Sequence, residues 1–312
     1  NLSEKVLKEQ EIQKKINQRN SLENEIKIRN TVDYVLREFP EDPVEGLTAV
    51  LVGSNFQKAG SRASVALAQL SQYRQIAVSF NEKLRQKNLE SLFAKANEDI
   101  DRRLSRTIWE LGEDKPITEK NKDIVELAKV INEFSETIRL KYNNFGANIS
   151  KLPGWIVRQS HDPFQLRNAM DVLNLKNSKN IKEINGSAER NIAAWKAYIK
   201  PKLDERTFEG VDAKDRDQFL TYVYNSLIRN EHQIAEGAGG HYGGKSITSK
   251  LNAKRVLHFK TADDWFDYNS KFGGGNLRES LFAGFNYAGR NIGLMSTLGT
   301  NPKAGFEKIG RL

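Results

Sequence analysis

Residues 255–302, RVLHFKTADDWFDYNSKFGGGNLRESLFAGFNYAGRNIGLMSTLGTNP, carry the signals that decide the fold. Thr261 stands three residues before Asp264, and Asn276 three before Glu279. In both places a side-chain oxygen can accept from the third backbone N–H of a helix, so two helices are predicted to start there. Asn301 before Pro302 reads as a further start, because proline suits the first helical position. Trp265, Tyr268 and Phe272 recur at i, i+3, i+7 and define one helical face, which reads as core rather than as a base-stacking platform. In FAGFNYAGRNIGLM (282–295), Gly284 and Ala288 lie four apart and let another helix approach closely, while Arg290 and Asn291 make a membrane-spanning role expensive.

Upstream lies the opposite signal. GAGGHYGGKS (237–246) places Gly237, Gly239, Gly240, Gly243 and Gly244 within eight residues, which no helix tolerates, so 237–250 is predicted as a Gly-rich loop. Between Gly237 and Ala262 there are Lys245, Lys250, Lys254, Arg255 and Lys260 and no acid. These five are the candidate nucleic-acid contacts, because phosphate backbones are met by such cations. The letters GGHYGGKS (239–246) also match a phosphate-binding loop. That loop needs a strand before it, whereas FLTYVYNSLIRN (219–230) reads as helix.

Working outward, Ser3 to about 38 reads as one long helix, with Leu2/Val6, Ile12/Ile16, Leu22/Ile26 and Val32/Val35/Phe39 at helical spacing. A short helix begins near Pro43 and stops at Gly53, and a third begins near Ser61, its small residues inviting a close neighbour. Another covers 89–111. Thr118 is read as the cap of a long amphipathic helix carrying Ile124, Leu127, Ala128, Ile131, Phe134, Ile138 and Leu140, ending near Gly146. Pro153 and Gly154 turn the chain, with Trp155, Ile156 and Val157 in a buried extended crossing. Helices come next at 163–174 from Asp162, at 187–200, and at 212–230 from a cap at Asp212. No run shows strand alternation. The expected fold is all-α, an elongated multi-helix assembly, with a long-helix domain over 1–147 and a basic, compact domain over 148–312.

The chain has 312 residues and a formal net charge of +9. Residues 1–150 hold 24 Lys/Arg against 23 Asp/Glu, and residues 151–312 hold 25 against 17. A basic second half suits an anionic partner, double-stranded DNA or a membrane surface. There is no cysteine, which excludes disulfides, thiol chemistry and Cys-ligated zinc. No apolar run is long enough to span a bilayer. His161, His232, His241 and His258 lack metal-ligand spacing, and no cofactor is implied. Ser160, His161 and Asp162 hold the letters of a hydrolase triad, but adjacent side chains diverge, so no catalytic residue is assigned.

LVGSN (51–55), NNFGANISKLPGWIVRQSHDP (143–163), DERTF (204–208), RVLHFKTADDWFDYNSKFGGGNL (255–277) and GRNIGLMSTLGTNP (289–302) occur in an order that resembles a segment of very large bacteriophage and prophage virion-associated proteins, of the internal virion or ejection type. The resemblance runs from about residue 12 to 310 and contains no enzyme signature. It implies a structural, non-enzymatic module of a longer chain, located in the virion and, after infection, in the host envelope or cytoplasm. Its implied partners are copies of itself and other virion proteins, with DNA or the anionic envelope beside its basic half. The alternatives are an enzyme (a nucleotide or cell-wall hydrolase) and a host-targeted anti-defence effector.

Overall fold

The computed structural model describes residues 2–53, 64–95, 97–147, 149, 161–175, 181, 183–229, 256–302 and 307. Among them the protein is all-α, 77% helical, with twelve helices and no strand. In chain order these are α1 (Leu2–Glu38), α2 (Pro43–Val52), α3 (Val65–Gln86), α4 (Glu90–Ala94), α5 (Glu98–Gly112), α6 (Lys122–Asn144), α7 (Pro163–Arg167), α8 (Ala169–Val172), α9 (Ser187–Ile199), α10 (Arg216–Ile228), α11 (Ala262–Phe272) and α12 (Leu277–Leu298).

Local chemistry sets most boundaries. Asp42, Ser64, Asn97, Asn121, Asp162, Thr261 and Asn276 each accept a backbone N–H in the first turn of the helix that they precede. At α12 the box is reciprocal, with Glu279 reaching back to the Asn276 N–H at 2.9 Å.

Two expected starts and one expected continuous helix are corrected. Thr118 does not cap α6, because Glu110 on α5 takes its N–H at 2.9 Å and its hydroxyl at 2.6 Å, and Asn121 caps instead. Asp212 makes no cap bond; a 3-10 turn, Ala213–Asp215, intervenes before α10. The helix expected over 89–111 is broken between α4 and α5, where Asn97 restarts it. The expected start near Ser61 and the crossing at 155–157 fall outside the described residues, as does most of the chain beyond Pro302.

The core forms where α3, α4, α6 and α12 meet on Phe80, which is fully buried. Phe93, Phe134 and Phe285 surround it at 5.3, 5.2 and 5.1 Å between ring centres, edge-on or tilted. Such pairs add about 0.5–1.5 kcal/mol each beyond area burial.

The α3–α12 crossing is closer than ordinary side chains allow. A Cβ on Gly289 would lie 2.7 Å from the Tyr73 backbone, and one on Gly293 2.6 Å from that of Gln69. The small pair that meets the α3 backbone is Gly289 and Gly293, while Ala288 is buried in the core beside them. On α6 the expected face is buried except for Leu140, which is exposed.

One buried cluster runs from Ile76 on α3 through α6, α9 and α10 to Met295 on α12. The boundary expected near residue 147 does not separate two cores, since both halves contribute to this one. A smaller cluster, Val35, Val50, Val65 and Leu298, seats α1 and α2 on the ends of α3 and α12.

Candidate nucleic-acid interface

The basic stretch returns to the described frame at Val256. Leu257 and Phe259 are buried, and Phe259 pairs with Leu203 as an isolated antiparallel bridge. His258 is held through its backbone: its carbonyl accepts from the Asp204 N–H at 2.9 Å and the Thr207 hydroxyl at 3.0 Å. The chain therefore enters α11 along a fixed track. A second bridge, His161 with Gly273, holds the other end of α11, where the Asp162 N–H donates to the Phe272 carbonyl at 2.8 Å.

Between the bridges lies Tyr268, buried, with Phe259 and His161 against its ring at 5.2 and 5.7 Å. The Trp195 Nε1–H reaches the Tyr268 hydroxyl at 3.4 Å, and His161 Nδ1 lies 3.1 Å from that oxygen. An indole nitrogen only donates, so the phenol oxygen accepts from Trp195, and its bond with His161 Nδ1 runs in the direction that the imidazole tautomer sets. Burial holds the phenol well above its ordinary pKa, which keeps the hydroxyl protonated. The Asp162 carboxylate turns the other way and caps α7, accepting from Phe164 N–H at 2.8 Å. It does not orient His161, so these two residues do not form a base-and-orienter pair.

Of the five candidate contacts, Lys245, Lys250, Lys254 and Arg255 lie outside the described residues, as does the Gly-rich loop 237–250. Lys260 is described. It is exposed, and its ammonium donates to the Pro201 carbonyl at 2.7 Å. The cations around it are already engaged. Lys196 and Lys200 both bind Asp217, whose carboxyl they hold below its usual range. Lys202 lies 3.4 Å from Asp264 and 3.5 Å from Asp267. The loop resembling a phosphate-binding loop is preceded in the described residues by α10, a helix and not a strand.

A larger charged junction, outside the candidates drawn from sequence, joins α5 to α11. Arg106 grips Asp263 at 2.8 Å, Arg102 reaches Asp267 at 2.7 Å and Asp263 at 3.4 Å, and the Arg102 guanidinium covers the Phe266 ring at 4.7 Å. Its signal in the chain is two arginines four apart on one helix and two aspartates four apart on another. The aromatic residues of this region, Phe259, Trp265, Phe266, Tyr268 and Phe272, are all buried, which leaves none of them to stack on bases.

These pairings divide the charge of the second half. From residue 151 onward, the described residues hold 13 Lys/Arg and 15 Asp/Glu, whereas the remaining ones hold 12 and two. The whole positive excess belongs to residues outside the described frame, Lys245, Lys250, Lys254 and Arg255 among them. Among the described residues no group of three or more His, Asp or Glu gathers as a metal site. No family model, no curated protein and no solved structure matches this chain.

Proposed function

We propose that this chain is a structural, non-enzymatic module of a phage internal virion or DNA-ejection apparatus, and that it holds double-stranded DNA through Lys245, Lys250, Lys254 and Arg255. The observation that carries the DNA contact is the division of charge. The described second half has slightly more acid than base, and its own carboxylates hold Lys196, Lys200, Lys202 and Arg216, so a polyanion gains less there than on an acid-free run. The acid-free run from Gly237 to Ala262 offers cations with no competing carboxylate in the sequence around them. Lys260 is the weakest of the five, since one of its donors is already engaged by Pro201. The virion setting rests on the five ordered blocks between residues 51 and 302, and copies of this chain and other virion proteins are its proposed neighbours.

The test replaces Lys245, Lys250, Lys254 and Arg255 together by Gln and measures binding to a short duplex at moderate salt. With each phosphate contact worth roughly 1 kcal/mol, affinity drops by two orders of magnitude or more. Unchanged affinity in a folded variant removes the contact assignment.

A further inference from the structure

The pair formed by α3 and α12 shows a second surface, unrelated to the basic stretch. Residues 64–81 contain one charged side chain, Arg74, and residues 280–302 contain one, Arg290. These 41 residues carry no carboxylate, and the two acids that border them, Glu82 and Glu279, are engaged by Arg85 and by the Asn276 N–H. The helices run antiparallel, with Gly293 on Gln69, Gly289 on Tyr73 and Phe285 on Phe80. At about 100° per residue, Leu67, Leu70, Arg74 and Val78 fall within a quarter turn of one another on the side of α3 away from Ile76 and Phe80. Their exposure agrees: Leu67 is 50% exposed, Leu70 43% and Val78 67%. Arg290 is the next residue after Gly289, and its carbonyl accepts from Gln69 Nε2 at 3.2 Å, one residue before Leu70 on α3. Both arginines are exposed, and neither has an ion-pair partner among the described residues.

We propose that this outer face of α3 and α12 docks on an anionic lipid surface. Apolar side chains flanked by cations, on helices that lie flat, are the pattern of interfacial binding. Among the described residues no helix is long and apolar enough to cross a membrane, so the contact is peripheral. A second copy of the same face would set Arg74 and Arg290 against their own kind, with the bordering Glu82 already taken by Arg85. Duplex DNA would gain two cations and strand Leu67, Leu70 and Val78 against phosphate. A weakly polar face whose bordering Glu82 is already bound by Arg85 suits headgroups on its arginines and acyl chains on its leucines.

This inference stands apart from the DNA reading, and its test is built on the protein already carrying Gln at Lys245, Lys250, Lys254 and Arg255. Val78→Trp is added as a reporter. Vesicles of phosphatidylcholine alone are compared with vesicles containing about one-third phosphatidylglycerol. The expected result is a blue shift in the emission of the introduced indole and co-flotation with the anionic vesicles. Arg74→Gln with Arg290→Gln should lower partitioning about 25-fold, at about fivefold per cation. Leu67→Ser with Leu70→Ser should abolish the blue shift while the fold stays intact by circular dichroism. No shift and no co-flotation with either vesicle overturns the proposal and leaves the face to a protein partner. So does binding that is indifferent to Arg74, Arg290, Leu67 and Leu70.

Discussion

Two helix contacts in this molecule solve the same packing problem by opposite means. At the α3–α12 crossing, side chains are removed: Gly289 and Gly293 let backbone touch backbone, and charge is nearly absent. At the α5–α11 junction, side chains are long and ionised, with Arg102 and Arg106 straddling Asp263 and Asp267. The first contact gains close dispersion packing and cannot yield, because backbone atoms have nowhere to go. The second is about one-third exposed at each partner, so water and salt share its charges. The two should therefore differ in cost on mutation, and in response to salt.

The largest effect is expected at the crossing. Gly293→Val puts two methyl groups and a Cβ where 2.6 Å separates the new atom from the Gln69 backbone, and should cost about 3 kcal/mol or more, read as a fall in the urea midpoint. The effect should not change with salt. Asp263→Asn, which weakens both arginine contacts at once, should cost only about 1 kcal/mol, and that cost should shrink in molar salt. If the ranking reversed, the charged junction and not the glycine crossing would be the element that holds the halves together.

A third contact sharpens the contrast through pH. Glu119 is bound by the Arg103 guanidinium at 2.8 Å, which lowers its carboxyl pKa to about 2. A carboxylate depressed in the folded state contributes stability above its unfolded pKa and loses it as pH falls toward the folded one. The wild type should therefore lose about 1 kcal/mol between about pH 4.5 and 2 that Glu119→Gln lacks from the outset, seen as converging urea midpoints at low pH. Parallel midpoints down to pH 2 would show that this pair adds nothing to stability.

These contrasts also mark what the sequence makes legible. Caps at Asp162, Thr261 and Asn276 depend on residues within three positions of one another, and the chain shows them directly. Thr118 is a good cap by that rule, yet Glu110 from the preceding helix claims it, and no local pattern reveals a competitor that arrives through packing. The glycine stripe is visible in GRNIG (289–293), but which face of α12 meets a neighbour depends on a rotation that only α3 fixes; Gly284 and Ala288 look equally suitable in isolation. Trp265, Tyr268 and Phe272 read correctly as core because their spacing alone defines a face. The arginine–aspartate junction is spelled out in two i,i+4 pairs whose members lie 157 to 165 residues apart, and matching them requires the fold. For the candidate contacts, composition located the acid-free run, whereas the internal neutralisation of Lys196, Lys200 and Lys202 depends on acids brought from α10 and α11.

The measurement that tests the central claim most directly is the salt dependence of duplex binding, compared between the wild type and the variant with Gln at Lys245, Lys250, Lys254 and Arg255. Each phosphate contact releases condensed counterions and adds about 0.9 to the slope of log affinity against log salt. A DNA contact through these four residues predicts a slope lower by about 3 to 4 in the variant, with stability unchanged. Equal slopes in two equally stable proteins would contradict it and return the DNA contact to the helical frame.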